Sequence, residues 1–398
     1  MKSATAISYE LDDLVTTTKE LASQIKDNLT LEKNTVAILH GQPDMEIGEL
    51  SASLSRELGC RVIGGTAGAG AVLTNNGYHE LAVVLHVLTA DDCLFATAIS
   101  ESLATDPEKV IEDTYKKAYQ NLKKQDENAE PELVIYITPI PQTISSDASL
   151  AKLSKVCGEV PIFGYNAADD FKFCEQQIYL DGEIGGDRIA LLLIAGDINP
   201  IFQVGNLEGK ETLDKRHVTK AQGNIIYEID NKPAFEYLKE FPFIDDQTEN
   251  LLNYQFFVEM KDDAHDGSLS VSRALYTFNK ETGEVISYAD IPQGSYIGLR
   301  YCDTNDVKVS SEDTLKEFNN KLNAAKGKYS TLLIATCTLR NMYLADEKAA
   351  EGLLVKELLP SELTVSGLYA FGEIAPTSVH EGKAVNQFHN ATFTMCAF

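Results

Sequence analysis

The sequence predicts an α/β protein whose layered mixed β-sheets are flanked by helices and built from one repeated unit. Three observations predict this class. The chain has 398 residues, 44% of them hydrophobic and 24% charged, which suits a folded protein with more than one core. Short apolar runs alternate with amphipathic helix-like segments. This alternation occurs three times in the same order, so an internal repeat organises the chain.

Each repeat opens with a strand and a helix. The opening runs are rich in β-branched residues and have the length of a fully buried strand. They lie at 35–43, 132–140 and 330–340. The helix-like segments that follow them lie at 46–58, 147–156 and 346–359.

Each helix leads into a short strand that ends in a turn of small residues, and another strand follows. The segments that end in these glycine turns lie at 60–70, 159–170 and 363–374. The closing strands lie at 80–88, 188–196 and 390–398. The unit is therefore strand, helix, strand with a glycine turn, and strand. Its last two strands are close enough in sequence to be antiparallel, which predicts mixed sheets.

Further helices and one boundary complete the prediction. A lead helix is expected over 10–28, and a helix over 108–124 begins at Asp106 and Pro107, a favourable cap and first position. Another helix is expected over 311–325, and the acidic stretch 122–131 reads as a surface loop. A polar segment over 205–222 suggests a domain boundary. The resulting division is a lead helix (1–30), a first domain (31–215) and a second domain (216–398).

Charge and composition exclude several classes of function. The net charge of −26 would repel nucleic acid and anionic membrane surfaces, because binding either one depends on Lys and Arg. The seven cysteines form no CxxC pair and mostly lie in apolar runs, as expected for reduced thiols. Neither a secretory signal nor an apolar stretch of membrane-spanning length is present in the sequence. We therefore expect a soluble, cytoplasmic protein of bacterial type.

Several motifs carry a resemblance to a known family. GCRVIGGTAGAG (59–70) resembles the glycine-rich signature of the FIST N domain. IIYEIDNKPAFEYLKEF (225–241) resembles the opening of the FIST C domain. Three segments of this chain resemble the closing block of that domain: TCTLRN (336–341), VSGLYAFGEIAP (365–376) and FHNATFTM (388–395).

The resemblance implies a signal-input module that binds small molecules, with amino acids the usual suggestion. With no fused output domain, the signal would pass to a separate protein such as a kinase, a cyclic-dinucleotide enzyme or a chemoreceptor. Some relatives look like haem-binding nitric oxide sensors. The first glycine turn departs from the family pattern, since AGAG (67–70) stands where an AGE-type carboxylate is common.

The third glycine turn carries the richest candidate chemistry. Gly372 permits a close backbone approach, Tyr369 offers a ring and a hydroxyl, and Glu373 can accept an ammonium group. Arg340 ends an apolar run in the same unit and could grip a carboxylate bidentately. Arg340 and Glu373 would then match the two charged ends of an amino acid, or they would pair with each other. Arg300 is a second candidate for the carboxylate.

The other two turns offer analogous groups. Gly65 and Thr66 lie in a glycine-rich segment that either cradles a phosphate through backbone N–H groups or forms a tight strand corner. The second turn supplies Tyr165 and Asn166, while Asp169 and its neighbour are expected to be solvated turn residues.

His389 and Asn390 belong to the closing motif. His389 is a haem ligand, a catalytic base or a hydrogen-bonded strand residue, and His380 is a weaker candidate. The sequence contains no GxSxG, HExxH or kinase signature, so we expect a sensor without a bound cofactor rather than an enzyme. Two alternatives remain: a haem-based sensor using His389, and an enzyme on small amino-acid-like substrates using Cys337.

Overall fold

A computed structural model describes residues 1–140, 143–262, 267–325, 327–378 and 384–398. The first unit, unit 1, comprises β1 (Lys2–Ser8), α1 (Leu14–Asn28), β2 (Asn34–His40), α2 (Ile47–Leu58), β3 (Arg61–Gly65), β4 (Ala71–Thr74), β5 (Gly77–Glu80) and β6 (Val83–Ala90). Unit 2 comprises β7 (Leu94–Ile99), α3 (Pro107–Gln125), β8 (Leu133–Thr138), α4 (Ser146–Cys157), β9 (Ile162–Asn166), β10 (Ile178–Leu180), β11 (Glu183–Gly185) and β12 (Ala190–Ala195).

The third unit is interrupted by an insertion. It begins with β13 (Ile201–Asn206). The insertion comprises β14 (Lys210–Gln222), β15 (Ile225–Ile229), β16 (Lys232–Pro233), α5 (Ala234–Leu238), β17 (Tyr254–Asp262), β18 (Gly267–Phe278), β19 (Val285–Ser287) and β20 (Tyr296–Tyr301). Unit 3 then continues with α6 (Thr304–Ala324), β21 (Thr331–Cys337), α7 (Thr338–Leu344), α8 (Ala350–Leu358), β22 (Thr364–Ala370), β23 (Gly372–Ser378), β24 (Ala384–His389) and β25 (Thr392–Ala397).

Three six-stranded mixed sheets confirm the predicted fold class. Their strand orders are β1-β6-β2-β3-β10-β11, β24-β23-β9-β8-β12-β7 and β13-β25-β21-β22-β4-β5. Each sheet has one parallel pair, β2–β3, β8–β9 or β21–β22, and antiparallel neighbours around it. Helices connect the strands of these parallel pairs, as the repeat predicts.

The repeated unit is longer than predicted. An edge strand and a helix precede the predicted elements, and a short β-hairpin separates the glycine turn from the closing strand. These hairpins, β4–β5, β10–β11 and β23–β24, do not pair with their own unit. The hairpin of unit 1 extends the sheet of unit 3, that of unit 2 extends unit 1, and that of unit 3 extends unit 2. The three units are thus joined in a closed cycle.

Equivalent positions can be read from the strand register. Gly64, Gly164 and Gly367 each face the incoming hairpin at the same place, opposite Tyr179, Ile374 and Leu73 respectively. A Cβ atom on Gly64 or Gly164 would lie 2.0 Å from a carbonyl oxygen of the neighbouring parallel strand. These glycines therefore allow the two parallel strands of their own unit to approach closely.

The inner faces of the three sheets form one shared core. Ile38 of unit 1, Ile135 of unit 2 and Leu333 of unit 3 are among the buried residues of this core. The outer faces are covered by helices. α1 and α2 pack on the sheet of unit 1, α3 and α4 on that of unit 2, and α6 and α8 on that of unit 3. This arrangement leaves the ends of the sheets as the places where loops converge.

The insertion forms a closed β-barrel. Its strand order is β14-β20-β17-β18-β19-β15-β16, and an additional pairing between β14 and β15 closes the ring. The predicted boundary between residues 215 and 216 falls inside β14. Strand pairing crosses this boundary, because β4 of the first half pairs with β22 of the second.

Arg273 on β18 holds the barrel against units 2 and 3. Its Nε donates to the carbonyl oxygen of Asp290 at 2.9 Å, and a terminal nitrogen donates to that of Phe388 at 3.0 Å. The other terminal nitrogen donates to Asp147 on α4 at 2.8 Å. Burial raises the pKa of Asp147, while Arg273 opposes that rise by favouring the carboxylate.

Local signals account for most element boundaries. The Asp106 side chain accepts a hydrogen bond from the Lys109 amide at 3.1 Å and caps α3 as predicted. The helix expected at 311 instead begins at Thr304, where Asp303 and Asp306 form a capping box. The strand predicted to run to residue 340 ends at Cys337, and residues 338–344 form α7 instead.

No helix within the described ranges is both long and apolar enough to cross a membrane.

We expect Gly164→Ala to destabilise the protein by about 3 kcal/mol or more, because the new methyl group would overlap the Tyr136 carbonyl in the exchanged sheet. Urea denaturation measures the loss. Gly298→Ala is the matched control, since its new Cβ would lie 3.5 Å from Lys215 Cγ, an ordinary van der Waals contact. Equal losses in the two variants would contradict the proposed role of the close approach.

Candidate functional site

The three glycine turns meet at one end of the sheets. The Thr66 hydroxyl donates to the carbonyl of Ala168 at 2.7 Å, and the amide of Ala168 donates to the carbonyl of Thr66 at 2.8 Å. The amide of Phe371 donates to the carbonyl of Asn166 at 3.1 Å. Backbone hydrogen bonds thus link turn 1 to turn 2 and turn 2 to turn 3.

The candidate ligand-binding residues of the first two turns are engaged in contacts and hydrogen bonds within the protein. A Cβ atom on Gly65 would lie 3.1 Å from the Tyr165 ring, and Thr66 also accepts a hydrogen bond from the Gln177 amide at 3.0 Å. The Tyr165 hydroxyl lies 3.3 Å from His40 Nδ1. The Asn166 amide donates to Ser146 at 2.8 Å. All of these side chains are buried, so they contribute to the junction of the turns.

Asp169 is buried, which corrects the expectation of a solvated turn residue. Its carboxylate accepts hydrogen bonds from four consecutive backbone amides at 2.8 to 3.0 Å, those of Lys172, Phe173, Cys174 and Glu175. The carboxylate therefore shapes the loop between β9 and β10, which we name the aromatic loop (169–175).

Arg340 lies in the interior and pairs with a residue that the sequence analysis did not identify. Its Nε donates to Glu351 at 2.9 Å, and both side chains are 0% exposed. Its terminal nitrogens donate to the carbonyl of Ala391 and to the hydroxyls of Ser310 and Ser311. Arg340 therefore does not pair with Glu373, and its donors are already used within the protein.

Tyr369 belongs to the same buried network, since its hydroxyl donates to Glu351 at 2.9 Å. Arg300 lies elsewhere, on β20 of the barrel. Its guanidinium stacks over the Phe257 ring at 4.6 Å and donates to the Glu208 carbonyl at 3.2 Å. The structure therefore does not bring Arg300 together with the third turn.

Glu373 is fully buried and only partly satisfied. One carboxyl oxygen accepts hydrogen bonds from the Thr392 amide at 3.1 Å and hydroxyl at 2.7 Å. No residue that the structure describes is hydrogen-bonded to the other oxygen, Oε1. Burial raises the pKa of Glu373 to about 8, and the two Thr392 bonds oppose that rise. The preceding Gly372 packs against the Phe388 ring, which leaves no room for a side chain.

The fold itself does not require a carboxyl group at this position. Glu373 pairs with Tyr165 on one side and with His389 on the other. The same register positions in the other two exchanged strands are occupied by Val72 and Ile178. Both are completely buried apolar residues, so the acidic group distinguishes unit 3 from the other two units.

A small cavity lies next to Cys337, whose side chain interacts with Glu373. It has a volume of about 10 Å³, comparable to the space that one water molecule needs. Its polar side is formed by Cys337, Thr338 and Asn390, and Asn390 Oδ1 has no hydrogen-bond partner in the described ranges. The interaction of Cys337 with Glu373 links the carboxyl to the cavity.

Aromatic rings close the cavity on its other side. Phe173 stacks on Phe371 with ring centroids 4.7 Å apart, and Phe171 and Tyr288 also contact this pair. Phe171 and Phe173 have φ values of 61° and 58°, a backbone conformation that is unfavourable for such residues. The aromatic loop therefore holds two strained residues over a polar pocket.

His389 is enclosed in its sheet. Its Nε2 lies 3.1 Å from the Ala375 carbonyl, and burial lowers its pKa to about 4, so the ring is neutral at physiological pH. Iron ligation through Nε2 would have to replace this contact. His380 lies outside the described residues.

Sequence reasoning missed the aromatic cover and Glu351. The one local signal for the cover is the pair of phenylalanines in DDFKF (169–173), which lies in an otherwise polar turn. Glu351 has no such signal, because it resembles any other acidic residue on an amphipathic helix.

The fold and this cavity define the class of the protein: a threefold-repeated α/β protein with an inserted barrel and an enclosed polar pocket in its third unit. Comparison with protein families then gives the particular family. The FIST N domain matches residues 35–232 and the FIST C domain matches residues 234–376. The chain belongs to the FIST family, whose domains are sensory, signal-transducing modules for small ligands.

Other comparisons show only distant similarity. Cyanuric acid hydrolase from A. caulinodans is 9% identical with a TM-score of 0.36, over 99% of this chain and 98% of the hydrolase. A chorismatase is 10% identical with a TM-score of 0.36, over 99% of this chain and 97% of the enzyme. The comparison with curated proteins gives no match.

We expect Glu351→Gln to lower the free energy of unfolding by about 3–5 kcal/mol, because it leaves the buried Arg340 without a counter-charge. Urea denaturation measures the change. Glu347→Gln removes the exposed partner of Lys308 on the preceding segment and should cost no more than about 1 kcal/mol. Similar costs for the two variants would show that the Arg340 pair is not a structural requirement.

We expect Glu373→Gln to stabilise the protein relative to wild type at pH 8 more than at pH 4. The pKa of Glu373 is raised from 4.5 to about 8 on folding, so its contribution to stability is present below pH 4.5 and lost as the pH rises through 8. The neutral amide lacks this dependence. Thermal unfolding of both proteins across this interval measures the difference, and an equal gain at both pH values would indicate better packing instead.

Proposed function

We propose that this protein is a cytoplasmic sensor of a small, amino-acid-like ligand, and that the ligand's ammonium group binds at the cavity beside Glu373. The observation that carries the proposal is the buried carboxyl of Glu373, whose Oε1 lacks a partner in the described part of the chain. An unpaired buried acceptor is costly, and the apolar residues at the equivalent positions show that the fold can do without it.

The polar atoms without hydrogen-bond partners favour a ligand with an ammonium group over one with only a carboxylate. Asn390 Oδ1 is an acceptor, and Glu373 Oε1 becomes one when the carboxyl is ionised, so the group that completes them is a cationic donor. Arg340 was expected to bind a carboxylate, but its guanidinium is engaged by Glu351. We therefore retain Glu373 and Asn390 as the ligand-binding residues of the proposal and assign Arg340 a structural role.

Ligand entry would require the aromatic loop to open. A cavity of about 10 Å³ does not hold an amino acid, and the rings of Phe173 and Phe371 cover it. The strained φ values of Phe171 and Phe173 lower the cost of leaving the closed state, while Asp169 preserves the shape of the loop. The sensor would then shift between a closed and an open arrangement.

The barrel offers a route for the signal. Tyr288 lies on the barrel side of the cavity and contacts Phe173. A ligand that displaces Phe173 would change how the barrel contacts unit 3, and a separate partner such as a kinase, cyclic-dinucleotide enzyme or chemoreceptor would read this change. We propose binding rather than catalysis, because burial raises the pKa of the Cys337 thiol well above its usual value and disfavours a nucleophilic thiolate.

The test is thermal unfolding against the L-amino acids, small diamines, small carboxylates and haem. A ligand at 100 times its dissociation constant adds about 2.7 kcal/mol, which should raise the midpoint by several degrees. We expect amino acids or amines to raise it and carboxylates without an amine to have no effect. Glu373→Gln should abolish the effect, whereas Ile178→Val, a mild change at the equivalent position of unit 2, should preserve it.

The pH dependence of binding separates this site from an adventitious one. Because the pKa of Glu373 is about 8 without ligand, an ammonium that needs the carboxylate should bind up to about tenfold more tightly per pH unit as the pH rises toward 8. Calorimetric titration at several pH values measures this. Binding that is independent of pH, or a response to haem alone, would contradict the proposed site.

A further inference from the structure

A second cavity lies beside the aromatic loop, in unit 2. It is a groove of about 560 Å³, within the size range of sites for small organic molecules. Its apolar wall is formed by Leu103, Ala104, Pro139, Ile140 and Phe173. Phe173 also covers the cavity of unit 3, so one ring separates the two spaces.

A buried polar side chain without a partner adjoins the groove. Gln176 is one of the residues that line the groove, and the residue is only 3% exposed. Gln176 Oε1 accepts no hydrogen bond from the part of the chain that the structure describes. The remaining polar side includes Asp187, whose carboxylate accepts a hydrogen bond from the Ser102 hydroxyl. The groove therefore presents acceptors against an apolar wall.

The strand register shows that this groove is the counterpart of the unit 3 cavity. Gln176 precedes the paired residue Ile178 by two positions, and Phe371 precedes Glu373 by the same interval. Pro139, which directly follows β8, and Cys337, the last residue of β21, occupy equivalent positions, and both line their cavities.

The counterparts differ in chemistry. Where the unit 3 cavity has Cys337 and Asn390, the groove has Pro139 and Gly186, which offer no polar side chains. The groove is also much larger than the cavity, about 560 Å³ against about 10 Å³.

We propose that this groove is a second binding site, for a mainly apolar small molecule that carries an N–H donor. The apolar wall would bury the body of the molecule, and the N–H group would donate to Gln176 Oε1 once rotation of the side-chain amide turns that covered atom toward the groove. Asp187 and the net charge of −26 disfavour an anion. This site does not depend on Glu373, so its test and that of the amine site can fail separately.

The exposed thiol of Cys174 lines the groove and provides a local reporter, since the other six cysteines are buried. The experiment follows the alkylation of Cys174 by N-ethylmaleimide through the intact mass. Benzamide, which has N–H donors, and N,N-dimethylbenzamide, which has none, are the probes. We expect benzamide to slow the alkylation of the wild-type protein, and the dimethyl compound to protect about fivefold less effectively.

Variants identify the group that recognises the donor. Gln176→Met should remove the preference for benzamide, whereas Gln176→Glu keeps an acceptor and should retain it. Gln203→Met is the matched control, because Gln203 is also a buried glutamine with an unpaired oxygen in the described ranges but lies on β13, away from the groove.

Absence of protection by millimolar benzamide in the wild-type protein would overturn the proposal. So would an undiminished preference for benzamide in Gln176→Met. The wild-type comparison of the two amides decides the question even where the Met variant fails to fold.

Discussion

The hydrogen bonds between each sheet and the hairpin of another unit hold the three units in a cycle. Without the incoming hairpin, β3, β9 and β22 would each present an unpaired edge, which is unfavourable and prone to aggregation. The same exchange brings the three glycine turns to one end of the molecule, because each turn carries the chain from its own sheet into the next. The position of the cavity is therefore a consequence of how the sheets are completed.

In a repeated fold, a position at which one unit has a different type of residue from the other units is a candidate functional site. At one register position unit 1 has Val72, unit 2 has Ile178 and unit 3 has Glu373. The two apolar residues show what packing alone selects, so the carboxyl group marks unit 3 as different. Burying this carboxyl is costly, and sites that bind ligands commonly carry such a cost. The comparison needs no homologous sequence, because the chain supplies its own reference.

Periodicity and turn chemistry predicted the elements of the repeat, but they could not predict how the elements associate. The hairpin strands Ile178–Leu180 and Glu183–Gly185 are too short to produce a recognisable pattern. The first barrel strand, Lys210–Gln222, is largely polar because all but one of its residues are exposed or half-buried, so its sequence predicts a domain boundary instead of a strand. The sequence marks Arg340 as a candidate binding residue, yet its partner Glu351 cannot be chosen from sequence among 60 acidic residues. Buried polar pairs depend on contacts that local patterns do not encode.

Phe173 gives the two cavities a physical connection. Its ring stacks on Phe371 over the unit 3 cavity and also forms part of the wall of the unit 2 groove. The ring cannot leave one space without changing the other, and its strained backbone favours a discrete change over a gradual one. If both proposed sites bind their ligands, a molecule in the groove that depends on the present position of Phe173 would oppose opening of the cavity. By linkage, a ligand that opens the cavity would weaken binding in the groove by the same factor.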